Sequence, residues 1–279
     1  MKEKHIVAGL LFICCAALVA MLTLIPKGGL NSDKKELTTQ QSGEKFVADF
    51  VSIITKAKES LSDIEKAFLT EQDQIAGEAD TTIAFDAAHN LIHFWDSLER
   101  FDISGFYYNR LYERNGSEFN LMNASQRFYE QGRIVADSAA RQYYMSTAEK
   151  GFKKAYEMNP KNLDAKVGRA LCIVENRNRI MEGVPLLREV LQADSNNIMA
   201  TYTLGLLQIE SGQLEKALVS FEKLVSLQPF NGEFYFYLAD VQQKTGNSKQ
   251  AILNYEKAKM LAPNDETRQA IDDILKEIK

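Results

Sequence analysis

Residues 146–263 repeat a pattern at an almost constant interval, and this feature constrains the fold more than any other. Three kinds of anchor recur: small residues at Ala148, Gly183, Ala217 and Ala251, bulky apolar residues at Phe152, Leu187, Phe221 and Tyr255, and turn formers at Pro160, Ser195, Pro229 and Pro263. Each series advances by 35, 34 and 34 residues. A period of this length predicts one helical supersecondary unit repeated along the chain, because each unit is too small to bury its own apolar face without its neighbours.

These anchors resemble the tetratricopeptide repeat, a helix–turn–helix unit of about 34 residues. In residues 198–231 the matching positions hold Leu204, Gly205, Ala217, Phe221 and Pro229. In residues 232–265 they hold Tyr235, Leu238, Ala239, Ala251, Tyr255, Ala258 and Pro263. The resemblance implies an all-α fold, a right-handed α-solenoid of repeats. Small residues let the helices approach closely, and proline cannot continue a helix.

We expect four repeats, at residues 129–162, 163–197, 198–231 and 232–265. The first keeps Ala136, Ala148, Phe152, Ala155 and Pro160, whereas the second is irregular, with Ser195 in place of proline and one extra residue. Residues 81–128 are interpreted as a degenerate hairpin of the same kind with an extension, with Ala88, Leu91, Ile92 and Trp95 lining its first helix. Residues 266–279 are interpreted as the capping helix that a solenoid needs at its end.

The N-terminal segment predicts a membrane anchor. Residues 6–25 carry no charge, and a helix of about 20 residues covers about 30 Å, the thickness of the hydrocarbon layer. A cleaved signal peptide is the alternative, but its apolar region is usually about 7–15 residues long and ends in small residues that this segment lacks. We expect a cytoplasmic tail at residues 1–5, a transmembrane helix at 6–25 and a flexible linker at 26–43. The repeats would then lie on the periplasmic side of a bacterial inner membrane.

An amphipathic helix is expected over residues 44–76. Its apolar positions alternate in steps of three and four residues, at Phe50, Ile54, Ala57, Leu61, Ile64 and Phe68. Such a stripe is compatible with a coiled coil that makes the protein dimeric through residues 47–68. It is equally the face of a first helix that packs against the repeats behind it, and Phe46, Val51 and Ile53 favour this second interpretation because they widen the stripe beyond a narrow seam.

Little in the sequence indicates catalysis, a cofactor or a metal. His89 and His93 have metal-ligand spacing, with Asp86 and Asp96 on about the same face, but the motif lacks the Glu of a zinc-protease helix. The nearby Trp95 favours histidines packed within a hairpin. No glycine-rich phosphate loop or nucleophile elbow is present, and the formal net charge of −5 opposes non-specific nucleic-acid binding. We expect a protein that is not an enzyme.

The resemblance also implies a binding surface, because the first helices of successive repeats line a concave groove in this family. Transferred by position, that groove contains a basic end and an aromatic end, formed by Arg133, Asp137, Arg141, Lys166, Arg169, Tyr202, Leu206, Phe236, Tyr237 and Asp240. Such a surface suits a protein or peptide segment with an acidic end and an apolar end. The alternative is that the terminal helix covers Phe236 and Tyr237.

We therefore expect a membrane-anchored, non-enzymatic adaptor. Its architecture resembles the single-span bacterial tetratricopeptide proteins that serve envelope assembly, chaperoning or cytochrome c maturation. A different class of function is a structural protein that associates with itself through residues 47–68.

Overall fold

A computed structural model describes residues 46–78 and 82–278. In that part of the chain there are thirteen α-helices, one short 3₁₀ turn and no strand. The helices are α1 Phe50–Lys58, α2 Asp63–Gly77, α3 Thr82–Ser97, α4 Phe101–Asn115, α5 Glu118–Ile134, α6 Ser138–Met158, α7 Leu163–Val174, α8 Ile180–Ala193, α9 Ile198–Glu210, α10 Leu214–Leu227, α11 Gly232–Lys244, α12 Ser248–Met260 and α13 Asp265–Ile278. The prediction of an all-α fold is confirmed.

The transmembrane helix expected at residues 6–25 lies outside the described residues, as do the tail and the linker. Across residues 46–78 and 82–278, none of the helices is both long and apolar enough to span a bilayer.

The described residues form two compact units, one up to residue 200 and the other from residue 201 to residue 278. In the first unit, successive helices from α2 to α8 pack against one another, and α1 contacts α4. One large core cluster runs through this unit and includes Leu69, Leu91, Trp95, Phe128 and Phe152. In the second unit α10 packs on α11, α11 on α12 and α12 on α13. A smaller core cluster there contains Ala239, Ala251, Tyr255, Ala258, Ile271 and Leu275.

The single helix expected over residues 44–76 is wrong, because the structure has two helices there. The first ends at Lys58 and the second begins at Asp63. Ser62 and Glu65 form a capping box, in which each side chain bonds the other residue's backbone N–H, and this arrangement stabilises a new helix start.

The break interrupts the apolar stripe that a coiled coil would need. Its N-terminal part packs against the core of the first unit through Phe46, Phe50, Ile53, Ile54, Ala57 and Leu61, whereas Ile64 is exposed on the next helix. The structure supports the interpretation in which this segment packs against the rest of the chain.

The hairpin expected over residues 129–162 also needs correction. The turn falls just after α5 ends at Ile134, and α6 runs for 21 residues from Ser138 to Met158. Asp137 accepts a hydrogen bond from the backbone N–H of Ala140 and so caps α6. A local capping signal, which the 34-residue period does not contain, sets this turn. The extension expected before residue 129 is therefore part of the first helix of this pair.

From residue 163 onward, the first helices of successive helix pairs begin at Leu163, Ile198 and Gly232. The small and bulky anchors Ala148, Gly183, Ala217, Ala251, Phe152, Leu187, Phe221 and Tyr255 are all buried. The side chains of Asn162, Asn197 and Asn231 each accept a hydrogen bond from a backbone N–H in the first turn of the following helix. Gly212 and Gly246, 34 residues apart, occupy the turns between helices with φ of 71° and 80°, a conformation that favours glycine.

We expect Gly168→Ala to destabilise the first unit by about 1–3 kcal/mol, the range for an overpacked core. A Cβ at this position would lie 2.6 Å from the Phe152 ring, which is itself buried. Gly77→Ala is the matched control, because its Cβ would meet nothing within 4 Å. Denaturant unfolding monitored by circular dichroism measures the stability of both variants. Equal unfolding midpoints would contradict the close packing of Gly168 against Phe152.

Candidate partner-binding surface

The three predicted groove residues nearest to α5 do not share one helix face. Arg133 lies in the last turn of α5, Asp137 caps the start of α6, and Arg141 lies in the first turn of α6. The Arg141 guanidinium donates from Nη2 to the carbonyl oxygen of Val135 at 3.2 Å, which closes this turn. Asp137 and Arg141 therefore hold the α5–α6 connection.

Two cations of the expected basic end, Arg133 and Lys166, have acidic partners within the first unit. Arg133 lies over the Tyr129 ring at 5.8 Å and 3.8 Å from a carboxylate oxygen of Glu175. Lys166 donates to Glu189 at 2.9 Å. The periodic pattern predicted the positions of these cations but not their acidic partners, which lie 23 to 42 residues away in sequence.

Arg169 differs from the other cations, because its Nε is buried and has no hydrogen-bond partner in the described residues. It lies on α7, as Lys166 does. These two residues are the predicted groove positions of the first unit that share a helix.

The expected aromatic end is mostly core. Tyr202 and Tyr237 are buried in the second unit, and the Tyr237 ring stacks on Phe221 at 5.3 Å. The Tyr202 hydroxyl donates to Glu233 at 2.6 Å. Burial, followed by the nearby Tyr237 and the charge of Glu233, raises the pKa of Tyr202 well above its usual value. Both rings pack helices together and are not available as a flat contact surface.

Three predicted residues remain at the surface of the second unit: Leu206, Phe236 and Asp240, all half-buried. Phe236 makes edge contacts at 5.6 Å with the rings of Tyr237 and Tyr255. It also packs against the cluster that includes Ile271 of α13. Phe236 is thus partly covered by the core of the second unit and keeps an accessible part. Cover by the terminal helix itself stays a prediction.

Sequence analysis missed Glu233. One of its oxygens accepts the Tyr202 hydroxyl, while Oε2 is buried and has no partner in the part of the chain that the structure describes. Glu233, Phe236 and Asp240 follow steps of three and four residues along α11, so they lie on one helix side. We call these three residues the α11 face. The spacing of these three residues could have been found in the sequence. The absence of a second partner for the Glu233 carboxylate could be found only in the structure.

The histidine pair shows no metal geometry. The Nδ1 of His89 is 2.8 Å from the carbonyl oxygen of Phe85, and its ring meets Tyr108 edge-on. His93 is exposed, and both oxygens of Asp96 are bonded by Arg127. Within residues 46–78 and 82–278 no three His, Cys, Asp or Glu side chains gather as a metal site requires.

Comparisons with known proteins agree with this architecture. The tetratricopeptide repeat model matches residues 200–231 and 232–265. A thermophilic TPR protein from Thermus thermophilus superposes with a TM-score of 0.53 at 17% identity, covering 68% of this chain and 98% of that one. MamA from Desulfovibrio magneticus RS-1 gives 0.49 at 18% identity, with 63% and 93% covered. YrrB, described as a TPR protein with an unusual peptide-binding site, gives 0.45 at 15% identity, with 74% and 98% covered. No curated protein sequence matches the chain.

Proposed function

Residues 200–265 of this chain belong to the tetratricopeptide repeat family, and on that premise we propose that the protein is a non-enzymatic adaptor that binds a protein segment at the α11 face. The observation that carries the proposal is the arrangement on α11. A half-exposed ring, Phe236, lies between two carboxylates, Glu233 and Asp240. Aromatic side chains, including phenylalanine, are enriched at protein interfaces.

The partner segment should present an apolar side chain beside a basic one. The carboxylate oxygen of Glu233 that has no partner in the described residues is buried, so the partner's basic side chain would pair with Asp240. Asp240 is bound by Lys244 at 2.7 Å, four residues along the same helix. Such a solvated pair contributes little stability, so exchange of Lys244 for a partner's cation costs little. This chemistry replaces the acidic segment expected from the sequence, since Arg133 and Lys166 of the expected basic end are already paired with carboxylates.

We further propose that residues 6–25 anchor the adaptor in a bacterial inner membrane, with the repeats in the periplasm and a role in envelope assembly, chaperoning or cytochrome c maturation. The support is the run of twenty uncharged residues in the sequence. Extraction of membranes with alkaline carbonate tests the anchor. The full chain should stay in the pellet, and its release into the supernatant would exclude a spanning segment.

Site-specific crosslinking tests the binding surface. A photoreactive amino acid placed at position 240 of the full chain is expected to capture a protein in cells, whereas the same group at Glu222, exposed on α10, is expected to capture none. Equal capture at both positions would count against the α11 face.

Charge reversal then measures the contribution of the carboxylates. Asp240→Lys should weaken binding of the captured partner by roughly tenfold or more, because a cation would face the partner's cation. Glu222→Lys changes the charge by the same amount on another helix and should leave the affinity unchanged. Binding titrations with the purified full chain give both values, and an unchanged affinity for Asp240→Lys would exclude the proposed chemistry.

A further inference from the structure

A cleft of about 490 Å³ opens in the first unit, beside α1, the turn between α3 and α4, the end of α5 and the start of α6. Its lining includes Phe46, Lys56, Arg100, Gln131, Val135 and Tyr144. The volume falls in the range of small-molecule sites, about 300–1,000 Å³. This cleft lies outside the matched repeats and does not include the α11 face.

Arg100 is held in place through one edge of its guanidinium group, and its Nη1 makes no hydrogen bond to a described residue. Its Nε and Nη2 donate to the two carboxylate oxygens of Asp102 at 3.0 and 2.9 Å. Asp102 is the buried partner, with 7% of its side chain exposed against 33% for Arg100. No described residue accepts a hydrogen bond from Nη1 of Arg100. The paired edge fixes the plane of the group, and the remaining N–H donors stay available.

Two neutral donors line the same cleft. The Oε1 of Gln131 accepts the backbone N–H of Asp102 at 3.2 Å, which orients the amide and leaves its Nε2 without a partner among the described residues. The Tyr144 hydroxyl likewise donates to none of them. Burial, and then the nearby Asp102 and Tyr143, raise the pKa of Tyr144 above its usual value. Its hydroxyl therefore keeps its proton at neutral pH and is available as a donor.

The cleft offers few free acceptors and little net charge. Asp102 accepts from Arg100 and from the backbone N–H of Ile103, so both of its carboxylate oxygens already have donors. The charges of Arg100 and Asp102 cancel, and Lys56, which forms no ion pair in the described part of the chain, adds one positive charge. A single negative charge is compensated in this setting, whereas a dianionic phosphate would lie close to the Asp102 carboxylate without full compensation. The apolar part of the lining, including Phe46 and Val135, provides contact for a hydrocarbon group.

We propose that this cleft binds a small organic monocarboxylate with an apolar body. The carboxylate accepts hydrogen bonds from Arg100, Gln131 and the Tyr144 hydroxyl, and the apolar body packs against Phe46 and Val135. Guanidinium groups held in a fixed plane are well suited to carboxylate recognition.

The probe for the test is 3-phenylpropionate, titrated into the full chain by calorimetry. We expect a dissociation constant of about 1 mM or tighter. The methyl ester, which lacks the negative charge, should bind at least roughly tenfold more weakly. No saturation by roughly 10 mM, or equal binding of the ester, would overturn the proposal. Tighter binding of 2-phenylethyl phosphate would overturn the choice of a monocarboxylate.

Two variants locate the binding. Tyr144→Phe removes only a hydroxyl that no described residue uses, and it should weaken 3-phenylpropionate binding roughly fivefold to tenfold while the fold is kept. Tyr143→Phe is the matched control, since Tyr143 is the next residue on α6 and does not line the cleft. Equal affinities of these two variants would place the ligand elsewhere.

The double variant with Arg100→Gln and Asp102→Asn removes the ion pair without leaving a buried charge unpaired. It should reduce the affinity for 3-phenylpropionate by at least roughly tenfold. Unchanged binding in this variant would exclude Arg100 as the carboxylate donor and overturn the proposal, with the melting temperature as the check on folding.

Discussion

Phe221→Ala is expected to destabilise the second unit by about 3–5 kcal/mol, the range for removing a large buried aromatic side chain. Phe221 is 0% exposed. Its ring stacks on Tyr237 at 5.3 Å and meets the Tyr202 ring edge-on at 6.3 Å. It also fills the space next to Gly205, where a Cβ would lie 3.0 Å from the ring. Alanine would leave a cavity that these packed neighbours cannot fill without moving helices.

Phe230→Ala is the matched control in the same repeat. Phe230 lies between α10 and α11 and is 83% exposed. Its loss should change stability by no more than about 0.5 kcal/mol. Urea unfolding followed by far-ultraviolet circular dichroism compares the two variants. A similar loss from both would show that Phe221 does not anchor the packing of α10 on α11.

Arg127→Met is expected to cost the first unit about 3–5 kcal/mol, because it leaves the Asp96 carboxylate without its partner in a largely buried position. Arg127 donates from Nε to both oxygens of Asp96, at 2.8 and 3.0 Å, and from Nη2 at 2.7 Å. Only 9% of the Arg127 side chain is exposed, and its guanidinium lies 5.7 Å from the centre of the Tyr108 ring. Burial disfavours the charged form of Arg127, but the hydrogen bonds and charge of Asp96 outweigh it, so the pKa of Arg127 is raised.

A double variant distinguishes the loss of stability caused by the unpaired charge from the loss caused by the missing packing. Adding Asp96→Asn to Arg127→Met removes the isolated carboxylate and should recover a large part of the stability. Lys153→Met serves as the control, since Lys153 forms an exposed pair with Glu157 at 3.8 Å and should cost at most about 1 kcal/mol. Thermal and denaturant unfolding measure the stability of all three variant proteins. An Arg127→Met protein as stable as the Lys153→Met protein would contradict the structural role given to this ion pair.

The repeat could be predicted from the order of the amino acids alone. The anchors at Ala217, Phe221, Ala251 and Tyr255 recur at a fixed interval, and all four are buried. Periodicity of this kind is a local property, because residues a few positions apart decide which side of a helix is apolar. The proline and asparagine positions at the helix ends follow from the same local chemistry. For this reason the helical class and the family were predictable without any knowledge of distant contacts.

Which side chains are available to a partner could not be predicted from the pattern, because it depends on how the helices pack. Tyr202 and Tyr237 occupy groove positions in the pattern, yet both are buried, and Tyr202 is bonded by Glu233, 31 residues away. The cleft brings together Arg100, Gln131 and Tyr144, which share no sequence motif. Burial and charge pairing depend on contacts between residues far apart in the chain, and those contacts exist only once the helices have packed. A repeat pattern therefore specifies the helices, whereas their packing specifies the surface.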